Sequence, residues 1–193
     1  RCIQKPYEEG SMAYRKENYS RYSSGESFNA DSMKFNSNES YQTLLKERTV
    51  YGGGGIIPDH FVPLDTTGTS AYFNKLIRKG IFNQFALSWV NKNREYLEKK
   101  YPNFDKFNSK FDTQNAVDEL IEYAEAEGLE FKEDQYNKAK HVIHTRLKAN
   151  IAQDLFNYKK FYQIINDLNN ALEKSLELLK DDKAFSKLAM NNN

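Results

Sequence analysis

Residues 133–155 read EDQYNKAKHVIHTRLKANIAQDL. Tyr136, Ala139, Ile143, Leu147, Ile151 and Leu155 recur three or four positions apart, the spacing that lines side chains along one face of an α-helix. Charged and amide residues fill the positions between them, so one stripe needs burial and the rest tolerates water. A helix beginning near Glu133 and running this far needs a packing partner. The next segment offers one. Phe161, Ile164, Ile165, Leu168, Leu172, Leu176 and Leu179 continue at the same spacing, with a joint at Asn157-Tyr158.

Toward the N-terminus the helical period persists back to Ser70. Tyr72, Phe73, Leu76 and Ile77 form a short helical pattern that Gly80 is placed to stop with a left-handed cap. Ile81, Phe82, Phe85, Leu87, Trp89, Val90 and Leu97 then run to Tyr101, where Pro102 disfavours further helix in the residue before it. A short link over Phe104–Phe111 leads to a helix capped by Asp112 or Thr113. It continues through Val117, Leu120, Ile121 and Ala124, and Gly128 closes it.

Before residue 68 the character changes. Residues 8–47 are dense in Ser, Asn, Glu and Tyr, with irregularly spaced aromatics, and read as an inserted loop region that packs on a neighbour. Ala30 to Lys34, after Asn29, could form one helical turn. Arg48-Thr-Val-Tyr51 and Ile56-Ile-Pro-Asp-His-Phe-Val62 are two short strand candidates around the glycines 52–55, and Arg1-Cys2-Ile3-Gln4 is a strand-like tetrapeptide. The chain is therefore expected to be mainly α: a helical C-terminal domain over 68–190 and a short β element within 1–67, α+β overall. The tail from Met190 to Asn193 should fray.

Composition agrees with a soluble, ordered chain whose core is built from aromatics. Of 193 residues 39% are hydrophobic, 14% aromatic and 28% charged, and the mean hydropathy of −0.83 suits thin helical layers that each bury one stripe. A formal charge of +1 gives no global pull toward nucleic acid or an anionic membrane. No apolar run reaches the roughly 18–20 residues of a membrane helix, and the first residues lack the order of a signal peptide. The single Cys2 can form no internal disulfide and leaves the compartment open. A start at Arg1 without Met reads as the interior of a longer protein.

Candidate chemistry is sparse. Gly52–Gly55 lack the Lys and Ser or Thr that end a phosphate-binding loop, and fit a bend where backbones approach closely. His141 and His144 stand at i and i+3, a spacing two metal-binding imidazoles could use. No HExxH pattern or nearby carboxylate completes a site, so a solvated or boundary position is expected. Glu119, Glu122, Glu125 and Glu127 read as a solvated face rather than a catalytic carboxylate pair. Lys138, Lys140, Arg146 and Lys148 are the only basic cluster. They lack interleaved aromatics and follow Glu133 and Asp134, so nucleic acid is not an expected partner. No G-x-S-x-G surrounds any serine, and Cys2 beside Arg1 has no base partner. Neither a cofactor nor a metal is implied.

Arg1-Cys-Ile-Gln-Lys-Pro-Tyr7 and Tyr51-Gly-Gly-Gly-Gly-Ile-Ile-Pro-Asp-His-Phe-Val62 resemble the closing strands of the C-terminal processing, or tail-specific, serine peptidases. There the pattern is a Gly-Arg-x-Ile-Gln strand followed by a Gly-Ile-x-Pro-Asp-x-x-Val strand. The roughly forty residues inserted between the two, against a usual short link, resemble the long form of Bacteroidota-type members. Pro63-Leu-Asp-Thr-Thr-Gly68, Arg78-Lys79-Gly80 and the helical region to Leu179 are similar to that subgroup's C-terminal extension. The resemblance implies a Ser nucleophile and Lys general base, with a substrate-reading PDZ domain, all ahead of Arg1. No catalytic position is then expected in this chain. Arg1, Ile3, Gln4, Gly55, Ile56, Pro58 and Asp59 match the motif, and the resemblance gives them a structural role in completing the peptidase sheet. It further implies a periplasmic or envelope location, with the rest of the peptidase core and protein substrates or an adaptor as partners. Homo-oligomerisation through the paired stripes is a further expectation, drawn from their apolar faces.

Overall fold

The computed structural model describes residues 2–4, 9–33, 37–45, 47–53, 55–56 and 58–181. Arg1, the Lys5-Pro6-Tyr7 part of the first motif, Lys34, Gly54, Ile57 and the tail from Met190 lie outside the described residues. Residues 66–170 form one compact unit, and the described residues of 1–65 and 171–193 group in the other.

In the first unit, helix α1 spans Gly10–Ser23, in a region read from the sequence as an inserted loop. Its aromatics are irregularly spaced and give no period. Ala13, Arg15, Lys16 and Glu17 nevertheless favour helix individually. Gly25, at φ +90°, turns the chain after it, and Arg21 Nε donates to Glu26 Oε2 at 2.6 Å across the turn. The single turn expected after Asn29 is present as a 3₁₀ turn over Ala30–Ser32, where the Asn29 side chain accepts from the Asp31 N–H. Strand β1, Ser40–Gln42, pairs antiparallel with β2, Thr49–Tyr51, placing Tyr41 opposite Val50. The second strand was thus anticipated, but its partner comes from inside the insertion. The described part of Ile56–Val62 forms no strand. Pro58 there has no N–H to give a ladder.

The second unit is a helical bundle. Helix α2, Ala71–Arg78, begins at Ser70, whose Oγ accepts from the Phe73 N–H. Gln135 Oε1 takes the Tyr72 N–H at 2.8 Å, so two N–H groups of the first turn are satisfied. Gly80 at φ +69° ends α2 and starts α3, Ile81–Lys100, as its position suggested. Tyr101 follows as the C-cap just before Pro102. Phe104–Lys110 is not a link but a helix, α4, capped by the Asn103 side chain on the Lys106 N–H. Helix α5, Gln114–Ala126, closes at Gly128 with a full Schellman motif. Gly128 N–H reaches Glu125 O and Leu129 N–H reaches Ala124 O, at 2.9 and 2.8 Å.

Helix α6, Glu133–Leu155, is the axis of the unit and packs on α2, α3, α5 and helix α7, Tyr158–Ile165. All six stripe residues are buried, and Ala149 and Ala152 are fully buried beside them. Their small side chains leave room for neighbouring helices. Aromatic rings close one end: Phe107 stacks on Phe111 at 4.5 Å and meets Tyr101 and Phe156 edge-on. Such edge-to-face pairs stabilise beyond the area they bury.

The second stripe does not continue as one helix. It stops at Ile165, a 3₁₀ turn occupies Asn166–Leu168, and helix α8 restarts over Asn170–Lys180. Phe161 and Ile164 pack in the bundle, whereas Leu176 and Leu179 are 50% and 61% exposed. The break falls at Asn166, Asn169 and Asn170, residues of a type that disfavours helix interiors. The compact helical unit runs from Thr66 to Asn170, and residues 182–190, the end of the expected 68–190 domain, lie outside the described residues.

Candidate functional site

The resemblance motif and a cleft in the helical unit are the two places where chemistry gathers. In the motif, Gly53 N–H donates to Cys2 O at 3.0 Å and Gly55 N–H to Ile3 O at 2.8 Å. Two segments some fifty residues apart therefore run side by side. Glycine is required for this approach. A Cβ on Gly52 would stand 3.1 Å from Cys2 O and 2.7 Å from Glu39 Oε2, and Gly53 and Gly55 sit at φ +67° and +90°. The Gly-rich run is the close-approach bend its composition suggested.

The remaining described motif residues are on the surface. Ile3 and Ile56 are 41% and 73% exposed, Pro58 is exposed, and Asp59 is ion-paired with Arg48. Gln4 offers its carbonyl to the Cys2 thiol at 3.4 Å.

The two histidines part company. His141 is exposed, whereas both ring nitrogens of His144 are engaged, Nδ1 with Thr113 Oγ1 at 2.7 Å and Nε2 with the Tyr136 hydroxyl at 2.9 Å. Burial lowers the His144 pKa, and the Lys140 charge adds to the effect. Among the described residues no group of three His, Cys, Asp or Glu could hold a metal. The Thr113 contact also decides the helix cap: Asp112 Oδ1 accepts the Gln114 N–H at 2.9 Å, and the Thr113 hydroxyl makes no capping bond.

The basic cluster disperses. Lys138 and Lys140 face outward, and Lys148 donates to Asn108 O at 2.7 Å, its pKa lowered by burial. Arg146 enters a cleft of about 670 Å³ between α6 and α7, with Asn83 of α3 at its rim. That volume is in the range of roughly 300–1,000 Å³ typical of ligand sites. Arg146, Asn150 and Gln153 form its α6 wall, Tyr158, Phe161, Tyr162 and Ile165 its α7 wall, and Asn166, Leu168 and Asn169 complete the lining.

This cleft is rich in donors. The Arg146 guanidinium lies 4.9 Å from the centre of the Phe161 ring, a cation–π placement. Its Nε is buried without a hydrogen-bond partner among the described residues. Burial lowers its pKa, opposed by Tyr162, yet a guanidinium stays charged at neutral pH. Asn150 is 3% exposed and its Nδ2 also has no partner. An unsatisfied buried donor costs about 1–3 kcal/mol, so two on adjacent turns of one helix are a marked expense of stability. The lining contains no carboxylate, no histidine and no Ser or Cys nucleophile. Its buried polar groups are a guanidinium and an amide whose donors are unpaired among the described residues. The periodicity of α6 missed this site, although Asn150, an amide beside Leu147 and Ile151 at buried positions, was a visible irregularity.

A family model described as a family of unknown function (DUF8443) matches residues 72–157, from the first turn of α2 to just past α6. Neither a curated protein nor a solved structure matches the chain. Among the described residues no helix is long and apolar enough to cross a membrane.

Proposed function

We propose that this chain is the C-terminal, non-catalytic portion of a tail-specific (carboxyl-terminal processing) serine endopeptidase that degrades or trims proteins of the periplasm or cell envelope. The observation that supports it is the pairing of the two motif segments, Gly53 to Cys2 and Gly55 to Ile3. The family motif is read in just these segments, and backbone contact between them suits adjacent elements of one sheet edge. The exposure of Ile3 and Ile56 suits segments that pair with the rest of the peptidase core, although residues 2–4, expected as a strand, and 55–56 form no strand in this chain. On this reading the Ser–Lys dyad and the PDZ domain precede Arg1, and the helical unit is an appendage to them.

The test compares this chain with the same chain preceded by its native upstream region, using casein and a fluorogenic tail peptide. The reading expects hydrolysis, blocked by a serine-directed reagent, in the longer protein and none in the shorter. Hydrolysis by the shorter chain, or its absence from both, contradicts it. A second reading, a helical module that binds protein partners without any enzymatic parent, is favoured by the unpaired donors of the α6–α7 cleft.

A further inference from the structure

Two donors on one face of α6 have no acceptor within the described chain. Arg146 and Asn150 stand one turn apart and both line the cleft; Asn150 is 97% buried, the complement of its 3% exposure. Evolutionary convenience aside, a packed interior gives such groups partners, and a group without one at a cleft wall is satisfied by whatever enters. We propose that the α6–α7 cleft binds a short peptide segment through a carboxylate, with Arg146 receiving the carboxylate and the amides of Asn150 and Gln153 receiving the adjoining peptide groups.

Three features select this ligand class. The cleft wall carries one cation and no carboxylate, so it suits a single negative charge, and the planar fork of arginine matches a carboxylate. Phe161 holds that fork in place from below at 4.9 Å, leaving its edge for the ligand. The other polar groups are neutral amides, each both donor and acceptor, which is the pattern a peptide bond needs. Ile165 and Leu168 add apolar surface beside the amides of Asn166 and Asn169, enough for side chains as well as backbone. A phosphate dianion would find only one cation here. The carboxylate can come from a chain end or from an internal Asp or Glu; the chemistry at Arg146 is shared. This inference goes beyond the peptidase reading and does not rest on it, because the cleft lies wholly in the helical unit.

The test is calorimetric titration of the full chain with three tripeptides: N-acetyl-Ala-Ala-Leu with a free carboxylate, the same peptide as its amide, and N-acetyl-Ala-Asp-Leu amide. The proposal expects saturable binding of at least one carboxylate peptide, about tenfold or more tighter than the neutral amide. Preference for the free end identifies a chain terminus as the ligand, and preference for the aspartyl peptide identifies a side-chain carboxylate. Arg146→Gln should remove that tenfold advantage, so that the free and amidated peptides bind alike. Should that variant fail to fold, the comparison of free and amidated peptides on the unaltered chain still decides. Equal binding of the neutral and charged peptides, no saturation by any of the three at millimolar concentration, or undiminished binding by a folded Arg146→Gln protein overturns the proposal. Stronger displacement by inorganic phosphate than by acetate overturns it too.

Discussion

The hydroxyl of Thr113 lies 2.7 Å from Nδ1 of His144, joining the start of α5 to the middle of α6. With Tyr136 on the other ring nitrogen at 2.9 Å, the imidazole is held between two hydroxyls in a half-buried site, where burial favours its neutral form. This has a pH consequence whose sign is fixed. In the unfolded chain the imidazole takes its proton near its usual value of 6.5, before the folded protein does. The unfolded state then binds more protons, so stability falls as pH drops below about 6.5 and stops falling below the lowered folded value. Denaturant unfolding at pH 7.5 and pH 5 should show this loss, and His144→Gln should reduce it. An equal loss in the variant would mean that other groups carry the effect.

Asp112 and Thr113 are adjacent but do different work. Asp112→Ala removes the acceptor of the Gln114 N–H and should cost about 1 kcal/mol; it also removes a carboxylate charge that raises the His144 pKa, so the His144 titration should move further down. Thr113→Val should leave the cap intact and change the His144 proton resonances. Thermal melts and a histidine NMR titration separate the two.

Tyr72 carries a hydroxyl that no described residue pairs with, and burial, aided by the charge of Glu125, pushes its pKa up to about 12. Tyr72→Phe keeps the edge-on contact with Phe131 and removes an unsatisfied polar group. Its melting temperature should be unchanged or higher. A drop of several degrees would show that the hydroxyl has a partner.

Gly128 sits at φ +74° with nothing near the position of a Cβ, so a substitution there meets backbone strain alone. Gly128→Ala should cost about 1–2 kcal/mol, and Gly128→Asn less. Equal stability of all three proteins would contradict the left-handed cap.

At Gly52 the limit is space rather than dihedral angle. Gly52→Val would drive its side chain into Cys2 O and the Glu39 carboxylate. Amide exchange at Gly53 and Gly55 should then accelerate, since their acceptors are Cys2 O and Ile3 O. Unchanged protection would separate the motif pairing from the bend.

The helices legible in the sequence were those that bury a stripe and end on a special backbone position. Helix α6 declared itself through Tyr136 to Leu155, and Gly80, Gly128 and Pro102 marked the boundaries seen in the structure. Helix α4 was hidden because it is seven residues long with one fully buried side chain, Phe107; the Asn103 cap and the spacing of Phe104, Phe107 and Phe111 were its signals. The break after Ile165 was hidden for the opposite reason. Leu168, Leu172 and Leu176 prolong the period past a point where a 3₁₀ turn over Asn166–Leu168 interrupts the helix. Of the cleft, Arg146 was visible only as one of four basic residues. Which cation turns inward depends on α7 packing against α6, and that contact spans the joint at Asn157 where periodicity carries no information.

The coding sequence immediately ahead of Arg1 bears on the proposed parentage before any protein is made. A C-terminal portion of a tail-specific peptidase predicts a Ser and then a Lys roughly 20 to 25 residues apart, about six or seven turns if helical, upstream of the Arg1-Cys2-Ile3-Gln4 segment. An upstream region without that pair contradicts the parentage and leaves the helical unit to be understood by its cleft alone.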